Sequence, residues 1–295
     1  GDEASAARHE EEAAALRERI RKYLWNGAFF RHFLPLDPVN YGVDEERQMS
    51  LSNAYALNRE ILDFDQKRRV IASYRAMREK YQGEFDDFRN LEPPYPLFHG
   101  MKAGAYVNGA IAPFVAGQLA LGAFETGEEE YGVDILKRMG RKISRDGKVA
   151  FLYDCSGNDI GGGPRCWCGA ELMHAECAGL AGVVDNGKLF RDVTLSPRFV
   201  AAGEKKAHVR LEYAASGAAV EYHYTWDTAK GEITFSLLSE HERCRLRMLL
   251  PNNAGTPSCR IDDVPVPGRL EQVGSSRYLV IDSFPSKKTG IIDFE

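Results

Sequence analysis

The chain has 295 residues, of which 44% are hydrophobic, so it can bury more apolar surface than a single small domain needs. Its formal net charge of −5 comes from acidic and basic residues that are interleaved along the sequence, which argues against a nucleic acid as partner. The apolar runs are short and broken by charges, and the first residues lack the apolar core of a signal peptide. We therefore expect no membrane span, and a cytoplasmic location is slightly favoured.

Six helices are predicted in the first 187 residues, because apolar positions recur there every three to four residues. Their predicted ranges are 4–24, 51–62, 65–81, 106–124, 128–145 and 168–183. The second, fourth and sixth are apolar and indicate inner helices, whereas the others are charged and amphipathic, as outer helices are. A long irregular segment precedes each inner helix. This alternation predicts a domain of α/α-hairpins over residues 1–187.

The hydrophobic period changes to two after Phe190, for example at Ile233, Phe235 and Leu237. Such alternation is typical of antiparallel strands with one buried face, and turn signals separate the segments. We predict a β-sandwich of about seven or eight strands over residues 188–295, with the helical region ending near Asp185. The expected fold class is multidomain, with an α/α-hairpin domain followed by the sandwich.

Two segments of the chain are similar to one known superfamily. The run Tyr106–Phe114 resembles the Tyr/Asn-Gly-x-x-x-Pro turn in the penultimate hairpin of six-hairpin glycosidases. The segments His174–Gly182 and Thr194–Phe199 resemble the last inner helix of those enzymes and its crossover into their β-domain. The resemblance implies the C-terminal half of an α/α toroid plus a β-sandwich, in a glucoamylase-like, rhamnosidase-like or disaccharide-phosphorylase-like protein.

The resemblance also implies a carbohydrate-active function, with a di- or oligosaccharide or another glycoside as ligand and glycoside hydrolysis as the reaction. A complete toroid has twelve helices in that superfamily, so a second copy of the chain or a missing N-terminal half would complete it. Many members carry the general acid in that other half. Inner helices with uncovered apolar flanks are therefore expected in this chain, with dimerisation through the helical region as a consequence.

Three carboxylates in or beside the loops before the inner helices are candidates for acid and base catalysis, because glycosidases use a pair of carboxyl groups. Hydrolysis with inversion needs them roughly 6.5–9.5 Å apart. In glucoamylase-like members the catalytic base is a Glu in the last long loop, and the corresponding position here is Phe151. A different carboxylate would then carry the reaction. The candidate catalytic residues are Glu92, Asp154 and Glu171.

Sugar-binding residues are expected in the same loops, because aromatic rings stack on the apolar faces of sugars and polar side chains bind their hydroxyl groups. One shared pocket is predicted for Trp167, Glu92 and Asp154, whereas His174 is expected to be a core histidine. The candidate substrate-binding residues are Trp25, His99, Tyr106, Asn108, Arg165 and Trp167.

Other functions stay open on the sequence alone. A non-catalytic carbohydrate-binding or assembly module would explain both the half-toroid and Phe151. A sugar phosphorylase or epimerase on a similar toroid is a further alternative, although Gly161-Gly162-Gly163 lacks the Lys and Ser/Thr of a phosphate loop.

No metal and no cofactor are predicted. Four of the six cysteines, at positions 155, 166, 168 and 177, lie close together in sequence beside His174. A structural zinc site usually has C-x₂₋₄-C spacing, and the C-x-C pair here departs from it. Reduced thiols, several of them buried as small apolar side chains, are the favoured interpretation.

Overall fold

A computed structural model describes residues 2–36, 40–163 and 166–294. Helices occur within a residue or two of most predicted positions, but α2 is shorter than predicted and α4 begins at Pro113. The helix α6 continues as a π-helix, Ala175–Leu180. The helices of the described residues are α1 Glu3–Leu24, α2 Ser52–Leu57, α3 Phe64–Tyr81, α4 Pro113–Glu125, α5 Glu129–Asp146, α6 Cys166–His174 and α7 Phe199–Ala202.

Short strands pair in the loops of the first half, and two larger sheets form in the second half. The strands are β1 Met49–Ser50, β2 Leu91–Glu92, β3 Leu97–Phe98, β4 Met101–Lys102, β5 Val183–Asp185, β6 Asp192–Leu195, β7 Lys206–Tyr213, β8 Ala218–Asp227, β9 Glu232–Leu237, β10 Arg243–Leu249, β11 Pro257–Ile261, β12 Val264–Val266, β13 Arg269–Val273, β14 Ser276–Ile281 and β15 Thr289–Phe294.

Four of these strands form two antiparallel pairs, β1 with β2 and β3 with β4. The remaining strands form a five-stranded sheet in the order β13-β14-β10-β6-β5 and a six-stranded sheet in the order β12-β11-β15-β9-β8-β7. The pairing is antiparallel except between β6 and β10, which run parallel. The prediction of seven or eight strands was therefore too low in number. The prediction that all of them are antiparallel was wrong for the pair β6 and β10.

The chain divides into two compact units, each made of two chain segments. The first contains Gly1–Gly122 and Lys137–Leu172, and the second contains Ala123–Leu136 and Met173–Glu295. The predicted domain boundary after residue 187 remains a prediction.

Burial of α4 contradicts one expectation. From Pro113 to Phe124 every residue is buried, because the helix carries only small and apolar side chains and one Gln. The predicted uncovered apolar flanks are therefore absent from this helix, and dimerisation through the helical region stays a prediction. By contrast, α1 has no buried residue along its length.

Alternation of apolar side chains defines the core of the second unit. On β8, Tyr222 and Tyr224 are buried, and on β9 the same holds for Ile233 and Phe235. Leu246 of β10, from the other sheet, belongs to the same apolar cluster. Period-two patterning thus correctly identified the strands that supply this core. After Ala202 the described residues contain no helix.

None of the helices in the described ranges is both long and apolar enough to cross a membrane.

Candidate functional site

A close approach between α4 and α6 forms the base of the candidate site. A Cβ atom placed on Gly117 would lie only 2.5 Å from the carbonyl carbon of Glu171. Only a glycine leaves room for the backbone of α6 at this distance. The approach brings the side chains of Gln118 and Glu171 together.

The carboxylate of Glu171 accepts hydrogen bonds from three side chains. The hydroxyl of Tyr55 donates to Oε1 over 3.2 Å, and the indole Nε1 of Trp167 donates to the same oxygen over 3.1 Å. The amide of Gln118 donates to Oε2. A carboxylate offers about four lone-pair positions, so Oε2 can still accept one further donor.

Of these donors, Tyr55 stays protonated and Gln118 is held by a further residue. Burial is the largest cause that raises the pKa of Tyr55, and the nearby Glu171 raises it further, so its hydroxyl keeps the proton that it donates. The amide of Asn58 donates to the side-chain oxygen of Gln118 over 2.8 Å and to its backbone carbonyl over 2.7 Å. Glu171 is therefore held in one orientation by helices α2, α4 and α6.

Trp167 presents an exposed indole beside this carboxylate. Its ring stacks on the buried Phe114, with centroids 4.3 Å apart and planes inclined by 7°. The ring centroid of Phe151 lies 5.9 Å from that of Trp167 and 6.2 Å from that of Tyr106. Trp167 and Tyr106 remain 46% and 48% exposed, so solvent reaches both rings. The four residues Phe114, Phe151, Trp167 and Tyr106 form an aromatic group next to Glu171.

This arrangement combines an apolar ring surface with a fixed hydrogen-bond acceptor. Aromatic faces pair with the C–H side of a sugar, and a carboxylate can accept its hydroxyl groups or polarise a water. The sequence had selected Glu171, Trp167 and Tyr106, and the structure brings these three together. Phe151, the position of the expected catalytic Glu, is part of the aromatic group.

The Asp154 carboxylate accepts hydrogen bonds from residues of its own loop. Its Oδ1 accepts hydrogen bonds from the backbone N–H groups of Ser156 and Asn158, both over 2.9 Å, and its Oδ2 accepts from the Asn158 amide over 3.0 Å. These bonds, the Asn158 side chain first, lower the pKa of Asp154. Such bonding is typical of a turn-forming aspartate.

Asp154 also lines a cavity of about 200 Å³ in the first unit. Neither Glu92 nor Trp167 lines this cavity, so it does not unite the three residues predicted to share a pocket. Its lining consists of Gly83, Glu84, Phe85, Asp86, Ile111, Arg145, Asp154, Cys155, Ser156 and Gly157.

Glu92 lies in β2 with a side chain that is 8% exposed. The Lys80 ammonium donates to its Oε1 over 2.8 Å, and the Tyr81 hydroxyl donates to the same oxygen. Its Oε2 is buried without a hydrogen-bond partner among the described residues. No described contact joins Glu92 to Glu171.

The remaining predicted binding residues lie in separate places. Trp25 caps the end of α1 and packs edge-on against Phe30 at 5.4 Å. His99 is exposed and packs edge-on against Phe98 at 4.6 Å. Arg165 falls outside the described residues.

Asn108 is fully buried, and its amide holds a loop in place. Its Oδ1 accepts from the Tyr95 backbone N–H over 2.8 Å, and its Nδ2 donates to the carbonyls of Tyr95 and Met101 over 3.0 and 3.1 Å. Both amide hydrogens are used inside the protein. The prediction that Asn108 contacts a ligand is thus corrected to a structural role, because burial leaves it no free donor.

His174 is exposed rather than part of the core, so that expectation was wrong. Within the described ranges, no three His, Cys, Asp or Glu side chains converge in a way that could hold a metal ion. All six cysteines are free thiols.

Sequence reasoning missed Tyr55, Gln118 and Phe114. A usable signal existed for the first two, since each places a polar group on a helix predicted to be buried, where such a group needs a partner. Phe114 carries no such signal, because an apolar residue on an apolar helix is ordinary.

No protein-family model and no curated protein matches the chain by sequence. Among solved structures, an α-L-rhamnosidase from Dictyoglumus thermophilum matches with a TM-score of 0.62 and 11% identity, over 99% of this chain and 30% of the other. At that identity the likeness concerns the fold alone. The chain thus shares a fold of helices plus mostly antiparallel sheets with part of that rhamnosidase, and it spans 30% of its length.

Two further structures match more weakly. One is described as a glycoside hydrolase, with a TM-score of 0.34 and 10% identity over 65% of this chain and 34% of that chain. The other is a GH127 β-L-arabinofuranosidase from Geobacillus stearothermophilus T6, with a TM-score of 0.30 and 9% identity over 63% of this chain and 32% of that chain. Scores this low carry no argument.

Proposed function

We propose that the chain is a carbohydrate-active protein that binds a sugar ring on Trp167, with Glu171 as the carboxylate that serves the reaction. The observation that carries this proposal is the Nε1 bond from the exposed indole of Trp167 to Glu171. It places a flat apolar surface and a fixed acceptor on one turn of α6. The fold shared with a rhamnosidase is consistent with a sugar ligand.

Glu171 suits the role of a base better than that of an acid. Its carboxylate accepts from Tyr55, Gln118 and Trp167, and Oε2 keeps a position for a water or a sugar hydroxyl. In an inverting hydrolysis such a carboxylate activates the water, and a second carboxyl group protonates the leaving oxygen. Asp154 and Glu92 remain predictions for that second role. A carboxyl group outside this chain is the alternative, since the chain spans 30% of the rhamnosidase that it resembles in fold.

We also propose that the hairpins of the first half are part of an α/α toroid and that the two large sheets form a β-sandwich. The common apolar cluster of the two sheets supports the sandwich. The domain limits 1–187 and 188–295, and completion of the toroid by a second copy or by further chain, belong to the same proposal.

A non-catalytic sugar-binding module is the second candidate. It is favoured by Phe151, an aromatic residue at the position where glucoamylase-like relatives carry their catalytic base. Such a module would retain the sugar-stacking role of Trp167 without a reaction at Glu171.

Isothermal calorimetry and hydrolysis assays on a panel of aryl glycosides and oligosaccharides separate these candidates. Trp167→Ala should abolish measurable binding, whereas Met173→Ala, at an exposed position on the same helix, should leave it unchanged. Glu171→Gln should abolish turnover and keep binding within a few-fold, with the exposed Glu176→Gln as its control. Binding without any turnover in the wild type would favour the module, and binding unaffected by Trp167→Ala would refute the site.

A further inference from the structure

The six-stranded sheet of the second unit has an open edge at β7. Within the described residues, β8 pairs with β7 on one side and no strand lies on its other side. The strand is eight residues long, and its sequence contains neither proline nor glycine. Its register with β8 is regular along the whole length, so no bulge bends this edge away from a partner. Long, regular edges of this kind can pair with a further strand.

The outer side of β7 presents the backbone groups of its even-numbered residues. The N–H of Trp226 donates over 2.8 Å to the carbonyl of Lys205, which faces it across the two strands. Bonded and non-bonded pairs alternate in an antiparallel ladder, so the odd-numbered residues of β7 turn their N–H and C=O groups toward β8. The residues whose groups point outward are Lys206, His208, Arg210 and Glu212.

Apolar side chains of β7 are less covered than those of the strand beside it. Tyr222 of β8 is 0% exposed, whereas Val209, which lies opposite it on β7, is half-buried. Leu211 is half-buried in the same row. Tyr213 continues the row, stacks on Phe190 with ring centroids 4.6 Å apart and is 42% exposed. A strand added beyond β7 would cover this row.

The charges of β7 fit a second copy of the same strand in one register. An antiparallel pair centred on Val209 sets Lys206 of each copy opposite Glu212 of the other, and His208 opposite Arg210. The outward backbone groups of facing residues then meet, as a ladder requires. A centre at His208 would set Lys206 opposite Arg210, and a centre at Arg210 would set that residue opposite itself. Like charges directly opposite each other are destabilising, so the register centred on Val209 is favoured over both.

Contacts within one copy leave this pairing open. Glu212 accepts a hydrogen bond at Oε2 from Arg210 of its own chain over 2.6 Å. A carboxylate has further lone pairs, which an ammonium group of a second copy can use. Glu212 is exposed, as is Lys206, so both side chains can reach across the edge.

We propose that the edge of β7 is a dimerisation surface, at which two copies of the chain join their six-stranded sheets through antiparallel β7 strands centred on Val209. Exposed ion pairs contribute little to affinity. The backbone hydrogen bonds and the covered apolar row therefore supply most of the affinity, and the charges select the register. All residues of this surface belong to the second unit, so the inference is independent of the proposed sugar site on α6.

Sedimentation velocity of the full chain over a range of concentrations tests this surface. The wild type should dimerise, and Lys206→Glu should raise the dissociation constant about tenfold or more, because a carboxylate then faces a carboxylate twice. Glu212→Lys should act in the same direction. The double variant Lys206→Glu, Glu212→Lys restores opposite charges and should return the dissociation constant to within about threefold of the wild type. Lys287→Glu, at an exposed ion pair with Glu240 away from β7, is the control and should have no effect.

Amide hydrogen exchange gives a second readout that needs no variant. The outward N–H groups of His208 and Arg210 should exchange more slowly at high than at low protein concentration. Those of Val209 and Leu211, which face β8, should exchange at the same rate at both concentrations. A chain that stays monomeric at every concentration would overturn the inference. A dimer that both single charge changes leave intact, or whose outward amides gain no protection, would also overturn it, because the dimer would then use another surface.

Discussion

Trp167 lies flat on Phe114, with ring centroids 4.3 Å apart and planes inclined by 7°. One face of the indole is therefore covered by a residue that is 2% exposed, and the indole nitrogen is bound to Glu171. Stacking on one side and a hydrogen bond at the edge together fix the ring plane. A bound sugar ring would stack on the free face of this indole. The contribution of Phe114 to the position of the indole can therefore be tested without changing a residue that contacts the sugar.

Phe114→Leu should weaken sugar binding several-fold without removing any atom that contacts the ligand. The stacked partner contributes about 0.5–1.5 kcal/mol beyond its buried area, and its loss lets the indole tilt. Urea unfolding should show a cost of about 1–2 kcal/mol. Phe64→Leu, at an exposed position on α3, should change neither quantity. Unchanged affinity in a folded Phe114→Leu protein would mean that the stack does not position Trp167.

Gly117→Ala should destabilise the protein by about 1–3 kcal/mol, because its Cβ would collide with the backbone of Glu171 and neither helix can yield freely. It should also reduce binding, since Gln118 and Glu171 would move apart. Gly140→Ala in α5 is the matched control: a Cβ there meets no atom within 4 Å. That change should stabilise the protein by about 0.5–1 kcal/mol. Thermal unfolding should therefore show a lower melting temperature for Gly117→Ala and a higher one for Gly140→Ala than for the wild type.

Sequence patterns predicted most of the helices and strands and two residues of the candidate site, Glu171 and Trp167. These predictions were possible because they depend on periodicity and residue type. The patterns placed Glu171 just inside the last apolar helix and Trp167 in the loop before it, whereas the structure has both residues on α6, where a separation of four residues puts them on one face. They could not show that the Glu92 carboxylate accepts hydrogen bonds from Lys80 and Tyr81, since these contacts depend on how β2 packs beside α3. Asn108 was misjudged for a similar reason, because an amide looks the same in sequence whether it binds a ligand or a backbone.

Sequence patterns also failed to predict contacts between residues that lie far apart in the sequence. Tyr55 contacts Glu171 from a position 116 residues away, and no local period predicts that contact. The burial of α4 was underestimated for the same reason: the sequence indicates that a helix is apolar, but not which segments cover it.

Asp154 should make stability depend on pH in the acid range. Hydrogen bonds, first from Asn158 and then from backbone N–H groups, lower its pKa in the folded state. Its stabilising contribution is therefore complete above the unfolded-state pKa of about 4 and is lost as the pH falls through the lower folded-state pKa. Asp154→Asn should reduce the difference in unfolding free energy between pH 5 and pH 3. Asp263→Asn, at a side chain that is 94% exposed, should not reduce it. Equal slopes for both variants would contradict the turn-stabilising role.

Thiol labelling of the folded chain should reach Cys155 and Cys166 first, because both are exposed. Burial raises the pKa of Cys244 to about 12 and that of Cys259 to about 11, so these thiols are both inaccessible and protonated at neutral pH. Ellman's reagent should show two fast thiols in buffer and six in denaturant. A Cys155→Ser, Cys166→Ser double variant should lose the fast phase. A fast phase that persists in this variant would contradict the prediction, because it would show that a thiol other than these two is accessible in the folded chain.

The buried ion pair between Arg138 and Asp87 should be the most sensitive charged contact of the first unit. Arg138 is 1% exposed, donates to both Asp87 oxygens over 2.8 and 2.6 Å and lies over the Phe88 ring. Arg138→Met or Asp87→Asn leaves a buried charge without its partner, which should cost about 3–5 kcal/mol in urea unfolding. Arg141→Met breaks only an exposed pair with Glu84 and should cost less than about 1 kcal/mol.

The double variant Arg138→Met, Asp87→Asn completes the cycle and separates the effect of pairing from that of burying one charge. With both charges removed, no unpaired charge stays in the interior, so the cost should be smaller than that of either single change. Costs that simply add would show that the two side chains stabilise the protein independently, through contacts such as the one with Phe88, and not as a pair.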